Sequence, residues 1–213
     1  LVAATALEYG VPLVTADALA LAMGVPPADL LSADLGDTDR GGVLVKDTDP
    51  AGFPTQGSTF AILSTGYANN ASAQDYNNGE TVGGAGRGDD ISGYLNGLRT
   101  SQGTDLVQLK LQLMPPAGMT CMTMDFAFFS EEWPDFYQLG FNDTFILEKG
   151  VTGSVPGFTV NGGSVDAPYN VAFDPTGHVL DINSGFGFDP LNPNPSTGTT
   201  YDGSSGTLIV KAP

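Results

Sequence analysis

The chain has 213 residues, enough to bury a sizeable core, and 41% hydrophobic against 15% charged residues excludes a disordered polymer. Twenty-four acidic residues against seven basic ones leave a net charge of −17, which disfavours nucleic acid and anionic membranes and makes cations the natural small partners. The same acidity also serves solubility in a salty or extracellular setting.

The opening LVAATALEYGVPLV carries Glu8 and no basic start, so it does not read as a secretory leader. No apolar run approaches the roughly 18 residues needed to span a bilayer. A helix follows in TADALALAMG, with Thr15 or Asp17 as its cap and Gly24 and Pro26-Pro27 as its stop. A second helical turn is expected in PADLLSADLG, with Pro27 near its start and Asp29 in its first turn. Residues 1–36 thus read as a helical N-terminal flank.

Beyond Gly36 the period changes to two. Strands are expected in GVLVKD (from Gly42) and STFAILSTG (from Ser58), bounded by Gly, Pro and Asp. In VQLKLQLM, Val107, Leu109, Leu111 and Leu113 face one way, and Gln108, Lys110 and Gln112 the other. CMTMDFAFFS puts Met122, Met124, Phe126 and Phe128 on one face. With Pro115-Pro116-Ala117-Gly118 as the turn, these two strands are expected to form a hairpin whose apolar faces share one core. Further strands are expected in TFILEK (from Thr144), GFTVNG (from Gly157), YNVAF (from Tyr169), HVLDI (from His178) and TLIVKA (from Thr207). Two long stretches, Tyr67 to Asp90 and Ser184 to Gly206, resist regular structure, and loops of this length are usually functional or disordered. The fold expected is all-β: one antiparallel β-sandwich-like domain over residues 1–213, with a short N-terminal helix and long loops.

The chemistry concentrates in FSEEWPDFYQLGFNDTF, from Phe129 to Phe145. Glu131, Glu132, Asp135, Asn142 and Asp143 lie there among large aromatics. Ca²⁺ takes about six to eight oxygen ligands from carboxylates, amides, carbonyls and water, and needs neither His nor Cys. Adjacent carboxylates such as Glu131 and Glu132 would repel each other, and a bound cation keeps both ionised. The competing reading is a solvated acidic loop. In GRGDDISG, Asp89 and Asp90 either cap a helical turn or ligate the same ion from across the fold. Arg87-Gly88-Asp89 matches integrin-binding loops in three residues only, which chance supplies readily. Asp166, Asp174, Asp181 and Asp189 read as turn formers in loops.

A single cysteine excludes a disulfide within the chain, and one Cys with one His cannot build a zinc site without several carboxylates. Cys121, in an apolar run, reads as a small buried hydrophobe.

FAFFSEEWPDFYQLGFNDTFILEKG resembles the signature of the choice-of-anchor L family of secreted and surface-attached microbial proteins. That signature has an aromatic strand, Ser-Glu-Glu-Tyr, a short acidic and aromatic stretch, then Phe-Asn-Asp-Val-Phe. Trp133 stands here for the usual Tyr and Thr144 for the usual Val. AILSTGYANNA, GRGDDIS and, loosely, TADALALAMG extend the resemblance over most of the chain from about Thr15. The family pattern continues past a YDG-like segment into a further strand pair and an Asp-rich motif, whereas this chain stops at Lys211-Ala212-Pro213. A C-terminal end cut short relative to that pattern is therefore expected. The resemblance implies an extracellular, cell-surface role in attachment or assembly.

Three functions follow. The first is a secreted, calcium-binding adhesin-like recognition domain, not an enzyme, with Glu131, Glu132, Asn142, Asp143, Asp89 and Asp90 on Ca²⁺. Tyr67, Tyr76, Tyr94 and Tyr137 on loop rims would contact a peptide or glycan. Trp133 reads as packing. The second is a structural subunit of an extracellular layer or fibre, completed by strands of neighbouring subunits. The third is a glycoside hydrolase using two carboxylates; Glu132 with Asp143 is the better pair, because neighbours on a strand point to opposite faces. None of these readings involves nucleic acid or direct membrane insertion.

Overall fold

The computed structural model describes residues 14–35, 43–47, 52–64, 68, 91–95, 98–103, 107–130, 143–150, 159–161, 164–166, 169–182, 201 and 203–213; in 91–103 and 159–166 it describes the backbone path alone. Among the described residues the architecture is all-β with one short helix. Among the described residues no helix is long and apolar enough to cross a membrane.

The helix α1 (Ala16–Ala22) starts where its cap chemistry says it should. Thr15 is extended, and its hydroxyl accepts the Ala18 N–H, satisfying one of the donors that a first turn leaves over. At the other end Val25 N–H donates to Ala20 O and Gly24 N–H to Leu21 O, the paired bonds of a Schellman stop. Gly24 carries φ +85°, a conformation that costs glycine little. Leu19, Ala20 and Ala22 form the buried stripe.

The expected second helical turn is a strand instead. Asp29 N–H closes a turn onto Pro26 O, and β1 (Leu30–Asp34) then pairs antiparallel with β6 (Lys110–Leu113). A bulge between Leu30 and Ser32 interrupts the register. Helix-start signals at Pro27 and Asp29 lose here to a ladder whose partner lies some eighty residues away, a term that local propensity does not contain. Ser32 donates to Gln112 Oε1 across this pair at 3.2 Å.

β2 (Val43–Lys46) and β3 (Phe60–Leu63) form an antiparallel pair from Val43↔Leu63 to Lys46↔Phe60. β4 (Ile91–Leu95), β5 (Leu98–Gly103), β10 (Thr159–Asn161) and β11 (Ser164–Asp166) make a four-stranded sheet in the order β10–β11–β4–β5. Its pairings are antiparallel except β11 with β4, parallel at Val165↔Leu95.

β7 (Met122–Phe126) pairs with β14 (Leu208–Ala212), and β8 (Phe129–Ser130) with β13 (Gly203–Ser204). Between the two ladders the Ser205 side chain accepts the Phe128 N–H at 2.9 Å while Ser205 N–H donates to Phe128 O. The hairpin expected between β6 and β7 does not form: the strands sit in different sheets. Their connector runs from Met114 to Cys121, includes two prolines that lack an N–H, and turns where Met119 N–H bonds Pro116 O with Gly118 at φ +84°. Such a span does not set a hairpin register, and each strand takes a distant partner. Part of the expected long loop from Ser184 to Gly206 is likewise strand, since β13 lies within it.

The two apolar faces also do not share a core cluster. Val107 and Leu109 pack against Val14, Leu19, Leu35 and Val43. Met124 and Phe128 pack instead against Phe126, Ala172, Leu180 and Val210, with Phe145, Leu147 and Leu208 at the margin. Of the expected inward face of β7, Phe126 is buried and Met124 half-buried, whereas Met122 at its start is exposed. Phe126 stacks on Phe145 at a 4.9 Å centroid separation.

Candidate functional site

The aromatic strand delivers the acidic block into a defined frame. β8 ends at Ser130, 1% exposed, whose backbone is registered with Gly203. On the far side of the block, Asp143 precedes β9 (Thr144–Phe145), which pairs antiparallel with β12 (Leu180–Asp181). Asp143 O accepts the Ile182 N–H at 3.2 Å, so its backbone is held by that ladder. The Ser130 hydroxyl donates to Asp143 Oδ2 at 2.5 Å. This short bond has its donor end buried away from solvent. It ties together the two residues that flank positions 131–142, whose own sequence neighbours are Glu131 and Asn142.

Of the six expected ion ligands, Asp143 is the one that lies among the described residues. Glu131, Glu132, Asn142, Asp89 and Asp90 lie outside them, as do Tyr67, Tyr76, Tyr137 and Trp133. Tyr94 falls within β4, in register with Arg99. Among the described residues no three His, Cys, Asp or Glu side chains come together as a metal-holding group.

Two acids are placed differently from expectation. Asp166 lies in β11 and Asp181 in β12, so neither is a loop residue. Asp181 is fully buried, directly across from Thr144 and one position from the Ile182 that binds Asp143. Its sequence context, Val179-Leu180-Asp181-Ile182, carries it inward: all four residues are buried. Burial of an ionisable carboxyl is costly unless it is compensated, which makes Asp181 the acid that sequence reasoning most clearly missed. An acid enclosed between large aliphatic residues is the signal that marks it.

Asp174 does form the expected turn. One carboxylate oxygen accepts the Thr176 N–H at 2.8 Å and the His178 N–H at 2.9 Å, while the Thr176 hydroxyl lies 2.8 and 2.9 Å from the two oxygens. His178 Nδ1 stands 3.3 Å from Oδ2. Burial opposes ionisation of this carboxyl, but the donors from His178 and Thr176 outweigh it and hold the group below its ordinary value. Gly177, at φ +88°, lets the loop close so that Asp174 N–H reaches His178 O. Asn170 organises the neighbouring segments in the same way, accepting the Leu147 and Ala172 N–H groups.

Cys121 is exposed, contrary to its reading as a core residue. It lies just before β7, in the connector that the missing hairpin leaves at the surface. An open depression of about 450 Å³ lies far along the chain from the acidic block, lined by Val14, Ala18 and Leu21 of the helical segment with Leu44 and Val45. Comparisons with protein-family models, with curated proteins and with solved structures find no match to this chain.

Proposed function

We propose that the chain is an extracellular Ca²⁺-binding recognition domain, in which Asp143 with Glu131, Glu132 and Asn142, joined by Asp89 and Asp90, holds the ion, and the surface around it contacts a peptide or glycan. The observation that carries this reading is the hydrogen bond from buried Ser130 to Asp143. It pins the two flanks of the densest acidic block and orients one of its carboxylates, as a partner behind a metal ligand does. The donor set is hard oxygen throughout, the chemistry that suits Ca²⁺. The net charge of −17 adds long-range attraction for cations. The resemblance of the block to a surface-protein signature supports the extracellular setting.

Titration calorimetry and thermal melting test it. Ca²⁺ at about a hundred times its Kd should stabilise the fold by about 2.7 kcal/mol, a rise of about 5–10 °C in Tm relative to EDTA for a chain of this size. Ser130→Ala should weaken Ca²⁺ binding by about tenfold or more while the protein still folds. Absence of both binding heat and any Tm difference between Ca²⁺ and EDTA overturns the reading.

A further inference from the structure

The chain has five methionines and one cysteine, and five of these six sulfur-bearing side chains fall between Met114 and Met124, in MPPAGMTCMTM. Methionine ordinarily fills cores, and burying one contributes about 1.5–3 kcal/mol. Here that stabilisation is partly forgone at two methionines of the connector and at the first residue of β7: Met119 is 64%, Met114 52% and Met122 40% exposed. Cys121, between them, is exposed as well, its thiol making only a long 3.6 Å contact to Met122 O. Single exposed apolar residues need no explanation, but a cluster of one chemical type does.

The backbone that carries these groups is held at both ends. Met114 N–H donates to Asp29 O at 2.8 Å, and Met122 is registered with Ala212 at the start of β7. Between them the Pro116–Met119 turn reverses the chain, with Gly118 in the left-handed conformation that the turn requires. The two ends of this segment are therefore held, and its methionine side chains, each with three rotatable bonds, stand exposed rather than locked into a core.

We propose that Met114, Met119, Cys121 and Met122 form a binding site for a soft monovalent metal ion, Cu(I). Thioethers and a thiolate select Cu(I), whereas hard Ca²⁺ gains nothing from sulfur. Zn²⁺ wants more anionic or imidazole ligands than this connector offers. On binding, the Cys121 S–H bond breaks, its proton passes to solvent, and the thiolate and Cu(I) form a neutral pair completed by uncharged methionine sulfurs. No change of oxidation state is involved.

The test is an anaerobic Cu(I) titration of the whole chain against a chromophoric Cu(I) chelator, with Ag⁺ run in parallel as a redox-inert probe. One equivalent should be withdrawn from the chelator, and excess Ca²⁺ should not release it. Removal of an outer-shell partner alone costs about tenfold or more in affinity, so the double substitution Met119→Leu with Met122→Leu should cost no less. Cys121→Ser should cost more still. Both variants change exposed positions, and an unchanged far-UV circular dichroism spectrum and Tm show that the fold is kept. X-ray absorption at the copper edge should show sulfur neighbours only. Failure to withdraw Cu(I), or undiminished affinity in the Met→Leu pair (a bare thiol acting alone), overturns the proposal.

Discussion

Replacing Leu180 by alanine should lower the free energy of unfolding by about 3–4 kcal/mol, measured by urea denaturation. Leu180 is fully buried in the cluster with Phe126, Ala172 and Val210, and its strand neighbour across β9–β12 is Phe145, which stacks on Phe126. The change removes three carbons from a place where strands β7, β9, β12 and β14 contribute to one cluster. Those strands are held in register by their ladders, so the void cannot close fully. The loss is a large fraction of the roughly 5–15 kcal/mol by which a domain is stable. Ile209→Ala supplies the contrast. Ile209 lies in the same pair of strands as Val210 but is 63% exposed, and its truncation should change stability by no more than about 0.5 kcal/mol. The midpoint should fall for Leu180→Ala with the denaturant slope unchanged; a loss under about 1 kcal/mol would show that this cluster is not where the fold's stability resides.

The features legible in the sequence were those set by local chemistry. Thr15 as a cap and Gly24 as a stop define α1 because each satisfies backbone groups within four residues of itself. The alternation in Lys110–Leu113 and the inward face of Met124 and Phe126 follow from the strand's period of two. Partner choice was not legible. β1 took β6, and β7 took β14, because pairing free energy depends on strands remote in sequence. Leu95 pairs with Leu98 and Asn161 with Ser164, and the intervening dipeptides in the sequence, Asn-Gly and Gly-Gly, are strong hairpin signals. The segments ISGYL and LRTSQG are too polar and glycine-rich to show alternation, which hides β4 and β5, whereas β10 lies within the expected strand GFTVNG. At the candidate site the acids were legible by type. Ser130 was not: a serine closing an aromatic strand reads as an edge, and only the approach of β8 to Asp143 gives it a role. Asp181 reads as a turn former because acids outside helices usually serve turns, whereas the burial of its neighbours decides its place.

Asp174→Asn should cost about 2 kcal/mol at neutral pH, and the cost should vanish in acid. The amide can still accept the two N–H bonds from Thr176 and His178 through one oxygen, but it replaces the second oxygen, near the Thr176 hydroxyl and His178 Nδ1, with a donor. Charge-assisted bonds become neutral ones, and the loop that joins Phe173 to Val179 loses its strongest tie. The pH dependence follows from the direction of the shift. Donors from His178 and Thr176 overcome the opposing effect of burial and hold the folded carboxyl below its ordinary value. In the unfolded chain the same group titrates near about 3.9, so its stabilising contribution is fully present above that pH. As pH falls through the lower folded value, the native carboxylate is protonated and the contribution disappears. Urea denaturation of both proteins at pH 7, 4 and 3 should therefore show the wild-type advantage intact at pH 7 and shrinking through the acid range. A difference that stayed constant down to pH 3 would mean that the substitution acts through packing or turn geometry, and that the ionised carboxylate contributes nothing of its own.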